Sequence, residues 1–405
     1  MRGFASRTRV EDALSWIDGR AFPLEPESLD YAAAHARVLA TEVLAAIDVP
    51  SFDRSAMDGY ALRGAESDGA GDYNPLTFEV LGESLPGQPF LGNVLPGSAV
   101  RIMTGAPLPT GADAVIPAEF TSEADGRVEV TATVSPEKHV GRTGEDVAAG
   151  SRLFSAGRRL RPQDVGLLAS VGVKSVEVVR RPRVRVLVTG GELVIPGKPL
   201  GTYQIYESNS GMLRSLIERD GGMLETLLRV EDDRDAIRQA LRQAGADVIL
   251  VSGGSSVGKE DHAPSLVAEE GELAIHGIAM RPSSPTGLGH ISQTPVVLLP
   301  GNPVSCLCAY DFFACRLIRR MGGLSGQWPY RRQQAEVGRK IVSVIGRVDY
   351  CRVRLDGDRI EPLALSGASI LSSTTRADGF VVIPAELEGY APGTSVTLFL
   401  YDPDN

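Results

Sequence analysis

The sequence predicts a multidomain protein of mixed class. A central α/β domain on an open, mostly parallel sheet is expected, with a β-rich insert domain, a helical and β linker domain and a C-terminal β domain. Three observations carry this. The chain has 405 residues, more than one hydrophobic core ordinarily organises, so two to four domains are expected. From about residue 181, apolar β-branched runs alternate with helical patterns, which points to a parallel sheet covered on both faces. Before and after that stretch, short apolar runs alternate with Gly, Pro and Asp turns, the texture of all-β segments.

The elements follow in order. Val10, Ala13, Leu14 and Ile17 form a helical stripe, so a first helix is expected over 10–19. Leu29, Ala33, Ala36, Ala40 and Val43 suggest a second helix after Pro26, ending before Asp48. Strands are expected at 76–81, 99–103 and 128–134, and a helix at Pro162–Ser170 within a Gly- and Arg-rich stretch. In the α/β part, strands are expected at 184–188, 247–251 and 295–299. Helices are expected at 210–218 and 233–244, with another beginning near Val304. Strands near 348–355, Gly379–Ile383 and Ser395–Leu400 make the β-rich tail. There is no internal repeat.

Composition narrows the function. An apolar fraction of 43% is enough for several cores, and a formal charge of −10 argues against a general nucleic-acid binder, which needs clustered Lys and Arg. An anionic ligand must then be held by local dipoles, a few cations or a metal. No apolar segment follows Met1–Arg7 and no apolar run is long enough to span a bilayer, so neither a signal peptide nor a membrane helix is expected. Cys306, Cys308 and Cys315 crowd one apolar segment without CxxC or paired-His spacing and read as reduced core residues. The expected location is the cytoplasm. No zinc spacing connects the five histidines.

Three loops carry the chemical signal. The strand at 184–188 runs into Thr189-Gly190-Gly191-Glu192, the next into Ser252-Gly253-Gly254-Ser255-Ser256-Val257-Gly258, and the third into Pro300-Gly301-Asn302-Pro303-Val304-Ser305. Ligands of open α/β sheets bind outside the carboxyl ends of the strands, so the three loops are expected to make one site. Glycines let backbone N–H groups approach an oxyanion, the serines add hydroxyl donors, and Ser305 near a helix start adds the helix dipole. Asp232, Glu260 and Asp261 bring carboxylates, which beside a phosphate loop imply a hard cation such as Mg²⁺. Neither a Walker A loop nor a GxGxxG dinucleotide fingerprint is present. Three further segments are candidate ligand loops: 51–61 with Asp53 and Asp58, 101–107 with Thr104, and the acidic turn Gly144-Glu145-Asp146.

Together these clusters resemble the molybdopterin molybdenumtransferase family, which includes bacterial MoeA and the E domain of gephyrin. The resemblance rests on FDRSAMDGYA (52–61), RIMTGAPLPTGADA (101–114), GEDV (144–147), 189–193, SGGSSVGKED (252–261) and LPGNPVS (299–305), in this order over nearly the whole chain. It implies a four-domain chain, usually a homodimer. The divisions expected are 1–45 with 146–180, 46–145, 181–326 (the molybdopterin-binding α/β domain) and 327–405. It also implies Mg²⁺-dependent insertion of molybdate into adenylylated molybdopterin with release of AMP, in a cleft completed by the partner subunit. The pterin would come from a molybdopterin adenylyltransferase and the product would pass to molybdoenzymes or their chaperones.

By motif position, the resemblance assigns catalytic roles to Asp58, Thr104, Asp146, Glu192, Asp232 and Asp261. Asp261, Glu192 and Asp232 are the implied metal ligands. Ser252, Gly253, Gly254, Ser255, Ser256, Gly258, Lys259, Arg281, Pro300, Gly301, Asn302, Pro303 and Ser305 are the implied pterin-binding positions. The chain departs from the family where Gly191 replaces an Asp and where Arg281-Pro282-Ser283-Ser284-Pro285 replaces a segment with two lysines. Arg281 keeps one charge there, Ser284 loses the other, and Lys259 is the compensating cation expected. Two alternatives therefore stand beside the insertase: a catalytically weakened pterin carrier, and a molybdopterin adenylyltransferase.

Overall fold

A computed structural model describes residues 7–254, 261–364 and 367–401. The chain divides into two units. One holds the N-terminal helix segment to Glu27, Ala36–Val38 and the chain from Val179 onward, and the other holds Ser28–His35 and Leu39–Val178.

In the first unit a six-stranded sheet has the order Met223–Val230, Arg183–Thr189, Val248–Ser252, Thr294–Leu299, Gly287–Ile291, Glu272–His276. The first four are parallel; the last two are antiparallel to their neighbours. The continuous apolar runs have a direct cause. Val184, Val186, Val188, Val248, Leu250, Val297 and Leu299 enter the core on one face. Leu187, Ile249, Val251, Val296 and Leu298 enter the core on the other. Both faces are buried, so strict polar alternation is absent. The helices Asn209–Arg219, Arg234–Arg242, His262–Glu270 and Pro303–Ala309 supply the covering layers. The first helix, Val10–Asp18, buries Val10, Ala13 and Ile17 in the same core, and Arg316 clamps its Asp18 at 2.6 Å.

After Pro303–Ala309 the chain passes through a π-turn, Tyr310–Ala314, into the helix Cys315–Met321. Strands Val348–Asp356, Arg359–Ala364, Arg331–Val337, Ser395–Leu400 and Gly379–Ile383 follow in sheet order, and the last pairs back onto the first. The tail is therefore a closed five-stranded barrel, with no open edge among those five strands.

The second unit contains a sheet in the order Ala114–Pro117, Gly59–Leu62, Ser98–Ile102, Leu76–Ser84, Arg127–Val130, Thr121–Ala124. Its core is built on Leu62, Phe78, Ala99, Ile116 and Val128. The helix Pro162–Ser170 packs Leu168 against Leu39, Phe154, Leu160 and Val178.

The second helix expected after Pro26 is not formed. Pro26–Asp30 is a strand, and only a single 3₁₀ turn, Tyr31–Ala33, follows. Asp30 accepts a hydrogen bond from Ala32 N at 2.9 Å and closes that turn, while Ala36 sits at φ 62°, which no helix accommodates. An alanine stripe buries too little apolar surface to impose a helix against these local choices. All four cysteines are buried free thiols, and burial pushes Cys306 up to about 12. Among the described residues no helix is long and apolar enough to cross a membrane.

Candidate active site

The three loops do converge. A pocket of 790 Å³ opens at the carboxyl ends of Arg183–Thr189, Val248–Ser252 and Thr294–Leu299. It lies where the connection from the first of these strands leaves to one side of the sheet and its next neighbour lies on the other, the usual ligand position in open α/β sheets. Its lining includes Thr189, Gly190, Glu192, Asn209, Asp232, Ser252, Gly253, Gly254, Asp261 and Pro300–Pro303.

Backbone conformation explains the glycines. Gly253 has φ 94°, and a Cβ there would lie 2.3 Å from the Thr189 carbonyl oxygen. Only glycine lets the second and first loops come this close. Asp232 accepts from Gly191 N at 2.9 Å, so one predicted carboxylate fastens the first loop. A Cβ on Gly191 would lie 3.8 Å from that same Asp232 oxygen, so an aspartate in its place would set a second carboxyl beside the first. Asn209, the first residue of the helix Asn209–Arg219, joins the loops from behind. Its Nδ2 donates to Ser252 Oγ at 2.9 Å and to the Gly301 carbonyl at 2.8 Å. Nearby Glu207, also in the lining, accepts from Ser210 N at 2.8 Å and lies 3.6 Å from Arg229.

Among the described residues the lining of this pocket is acidic. Its described lining holds Glu192, Glu207, Asp232 and Asp261 and no lysine or arginine. Oxygen donors of this kind suit a hard divalent cation. Among the described residues no three of His, Cys, Asp and Glu stand close enough to hold a metal on their own, so a Mg²⁺ here would keep several waters, as that ion ordinarily does.

Several predicted residues lie elsewhere. Arg281 is absent from the lining and pairs with the fully buried Asp349 of the barrel. Ser305 is also outside the lining; it is 4% exposed, and the backbone N–H groups of Val304 and Ser305 both donate to the Ala368 carbonyl. The start of that helix is thus capped by the chain itself. Ser255, Ser256, Gly258, Lys259 and Glu260 lie outside the described residues. In the second unit, Asp58 accepts from the backbone N and Oγ1 of Thr104, each at 2.7 Å. Those two donors hold its carboxyl below the usual range. Asp146 is exposed on the turn after Gly144, and its N–H donates to the Val49 carbonyl at 3.0 Å. Glu207 and Asn209 are absent from the sequence-based expectations, although Glu207-Ser208-Asn209 directly before a helical pattern is a capping signal.

Comparison with known proteins decides the family. The chain is 34% identical over 388 residues to the molybdopterin molybdenumtransferase of Haemophilus influenzae, covering 93% of this chain and 94% of that one. The chain belongs to the molybdopterin molybdenumtransferase family. Molybdopterin molybdenumtransferase 2 of Mycobacterium tuberculosis is similarly 34% identical, over 92% of this chain and 95% of its own. The family's parts match in order: the MoeA N-terminal region (domain I and II) at residues 8–172, the probable molybdopterin binding domain at 185–320, and the MoeA C-terminal region (domain IV) at 334–401. Among solved structures, the molybdopterin biosynthesis MoeA protein of Pyrococcus horikoshii superposes with a TM-score of 0.85 at 32% identity, over 98% of this chain and 100% of that one. The pocket falls inside the family's molybdopterin-binding part, apart from the two barrel-segment residues Ser369 and Leu371.

Proposed function

We propose that this chain acts in molybdenum cofactor biosynthesis by inserting molybdate into adenylylated molybdopterin, in a Mg²⁺-dependent step that releases AMP. The observation that carries this reading is the acidic pocket at three converging strand ends, in a chain of the molybdopterin molybdenumtransferase family. Water attacks the adenylate phosphorus, the anhydride P–O bond breaks, AMP departs, and a lining carboxylate takes up the proton. Mg²⁺ drawn to Asp261, Glu192 and Asp232 and held there largely through its own waters would neutralise phosphate charge and draw the substrate to these carboxylates. Asp232 keeps the Gly191 turn in place, and Asn209 keeps the second and third loops in register. Asp58, Thr104 and Asp146 belong to the same reading as catalytic groups, with Ser252, Gly253, Gly254 and Pro300–Pro303 as the pterin-binding frame. A homodimer, a cytoplasmic location, an adenylyltransferase supplying the pterin and molybdoenzymes receiving the product complete it.

The withdrawal of Arg281 to Asp349 favours one rival, a carrier that binds the pterin without turnover. Purified protein mixed with adenylylated molybdopterin and Mg²⁺, with and without molybdate, separates the two. Molybdate-stimulated AMP release, lost in Asp261→Ala, is the expected result. Tight pterin binding with no AMP release under any condition establishes the carrier instead.

A further inference from the structure

The barrel reaches the pocket along two paths. On one, the Ala368 carbonyl accepts from Val304 N at 2.9 Å, and Ser369 and Leu371 join the lining. On the other, the short strand Met280–Arg281 pairs in parallel with Val348 and Asp349 of the barrel. The chain then turns toward the pocket, where Pro285 lines the wall together with Pro300 and Pro303.

The turn between Arg281 and Pro285 is strained. Ser283 has φ 86°, a left-handed conformation that a residue with a Cβ rarely adopts. Such a conformation persists only where its surroundings over-determine it, and it clusters at functional sites. Three contacts hold it here. Ser283 is 2% exposed and donates its hydroxyl to the Ser305 carbonyl at 2.6 Å, on the helix that follows the third loop. Its own carbonyl accepts from Thr286 Oγ1 at 2.7 Å. Ahead of the turn, Arg281 is paired with Asp349. That carboxylate is fully buried, accepts from Ser343 Oγ at 2.8 Å and lies 3.2 Å from Arg347 Nε. A carboxylate with so many partners is a fixed point, so it fixes the arginine bound to it. A cation with its counter-charge in contact also exerts little net pull on an anion elsewhere.

We propose that Arg281 and Asp349 are positioning residues for this pocket: their ion pair clamps the strained turn at Ser283 to the barrel and so sets Pro285 against Pro300 and Pro303. The charge at position 281 then acts through the backbone of residues 281–285, without touching the ligand. The inference takes from the function proposed above only that AMP is a ligand of this pocket.

Calorimetric titration of the full chain with AMP, at one Mg²⁺ concentration and well below the unfolding temperature, tests the clamp. The sign of the effect separates it from a direct charge effect. If Arg281 attracted the anion, Arg281→Met would weaken binding and Asp349→Ala, which removes a negative charge and releases the arginine, would tighten it. The clamp requires both to weaken it, each by about 5-fold, and the double variant to bind no worse than the weaker single one, because the pair acts as a unit. Ser283→Ala changes no charge and removes the hydrogen bond to the Ser305 carbonyl, so it should weaken AMP binding in the same direction. Tighter binding by Asp349→Ala overturns the proposal and makes Arg281 an anion ligand. Unchanged binding by Ser283→Ala overturns it too, and decides the matter alone if Asp349→Ala fails to fold. The expected pattern in a protein that releases no AMP from adenylylated molybdopterin upholds the clamp and removes the insertase reading. Tighter binding by Asp349→Ala beside normal AMP release in the unaltered protein does the reverse.

Discussion

At Asp164 one carboxylate closes a helix and grips two arginines. It accepts from Arg161 N at 2.9 Å at the start of Pro162–Ser170, and from Arg158 Nε and Nη2 at 3.0 and 2.8 Å. The Arg158 guanidinium holds this carboxyl far below its ordinary range. A folded-state pKa below the unfolded value contributes stability that is present above the unfolded pKa and lost as pH falls through the folded one. Asp164→Asn should therefore cost about 2–4 kcal/mol at neutral pH, with the difference shrinking below about pH 4. Urea unfolding at pH 7 and pH 3 checks it; an equal loss at both would show that the charge is not what stabilises. The sequence marks Pro162–Ser170 as a helix but gives no hint of the Arg158 contact, because a side-chain pairing depends on where the chain turns. Arg281 makes the same point from the other side. Its charge suggests an anion ligand, and only the fold reveals Asp349, sixty-eight residues on, as its partner.

Strands and loops differ in how far they can be read in advance. Arg183–Thr189, Val248–Ser252 and Thr294–Leu299 are legible because burial on both faces leaves unbroken apolar runs. The edge strand Met223–Val230 is not, since only partial burial lets Glu225 and Arg229 stand among its leucines. The glycine loops are legible as loops, and their convergence follows from the parallel sheet; which side chains tie them together there does not. The two kinds of glycine should behave oppositely. Gly253→Ala forces a Cβ against the Thr189 carbonyl at φ 94°, and should cost about 2–4 kcal/mol together with the pocket's ligand affinity. Gly211 lies in the helix Asn209–Arg219, and among the described residues nothing comes within 4 Å of where its Cβ would stand, so Gly211→Ala should add about 0.5–1 kcal/mol. Thermal unfolding of the two variants, read side by side, tests the pair; matching losses would refute it.

On the scale of the molecule, the α/β sheet and the barrel share one interior. Trp328 packs edge-on against Phe312 at 4.9 Å and against Phe399 at 4.9 Å, and its Nε1 donates to the Asp311 carbonyl at 2.7 Å. Asp311, on the π-turn, accepts from Tyr330 Oη at 2.9 Å and from Arg219 at 3.0 Å. Barrel, turn and sheet-covering helix thus meet at one buried carboxylate. Asp311→Ala leaves Asp220, 2.8 Å away, as the counter-charge of Arg219 and removes the acceptor of Tyr330 Oη, and should cost about 2–4 kcal/mol. Tryptophan fluorescence and far-UV circular dichroism should then shift together on unfolding. Separate transitions would mean that the barrel and the sheet do not stand or fall as one. The β-rich tail is visible in the sequence, but its closure is not, because pairing Val348–Asp356 with Gly379–Ile383 is a long-range event that short apolar runs do not encode.

The acidic lining of the pocket has a kinetic meaning. Among the described residues, an anionic nucleotide approaching Glu192, Asp232 and Asp261 meets like charge, and Arg281, held by Asp349, does not relieve it. Most anion-binding proteins lose association rate as salt screens an attraction; here salt screens a repulsion, over a Debye length of about 10 Å at 0.1 M. Without Mg²⁺, AMP should therefore associate faster as ionic strength rises, and stopped-flow measurement across a salt series should show that slope flatten or reverse once Mg²⁺ is present. The divalent ion would then serve as the gatekeeper of arrival, deciding how often an anion reaches the pocket before any bond is broken.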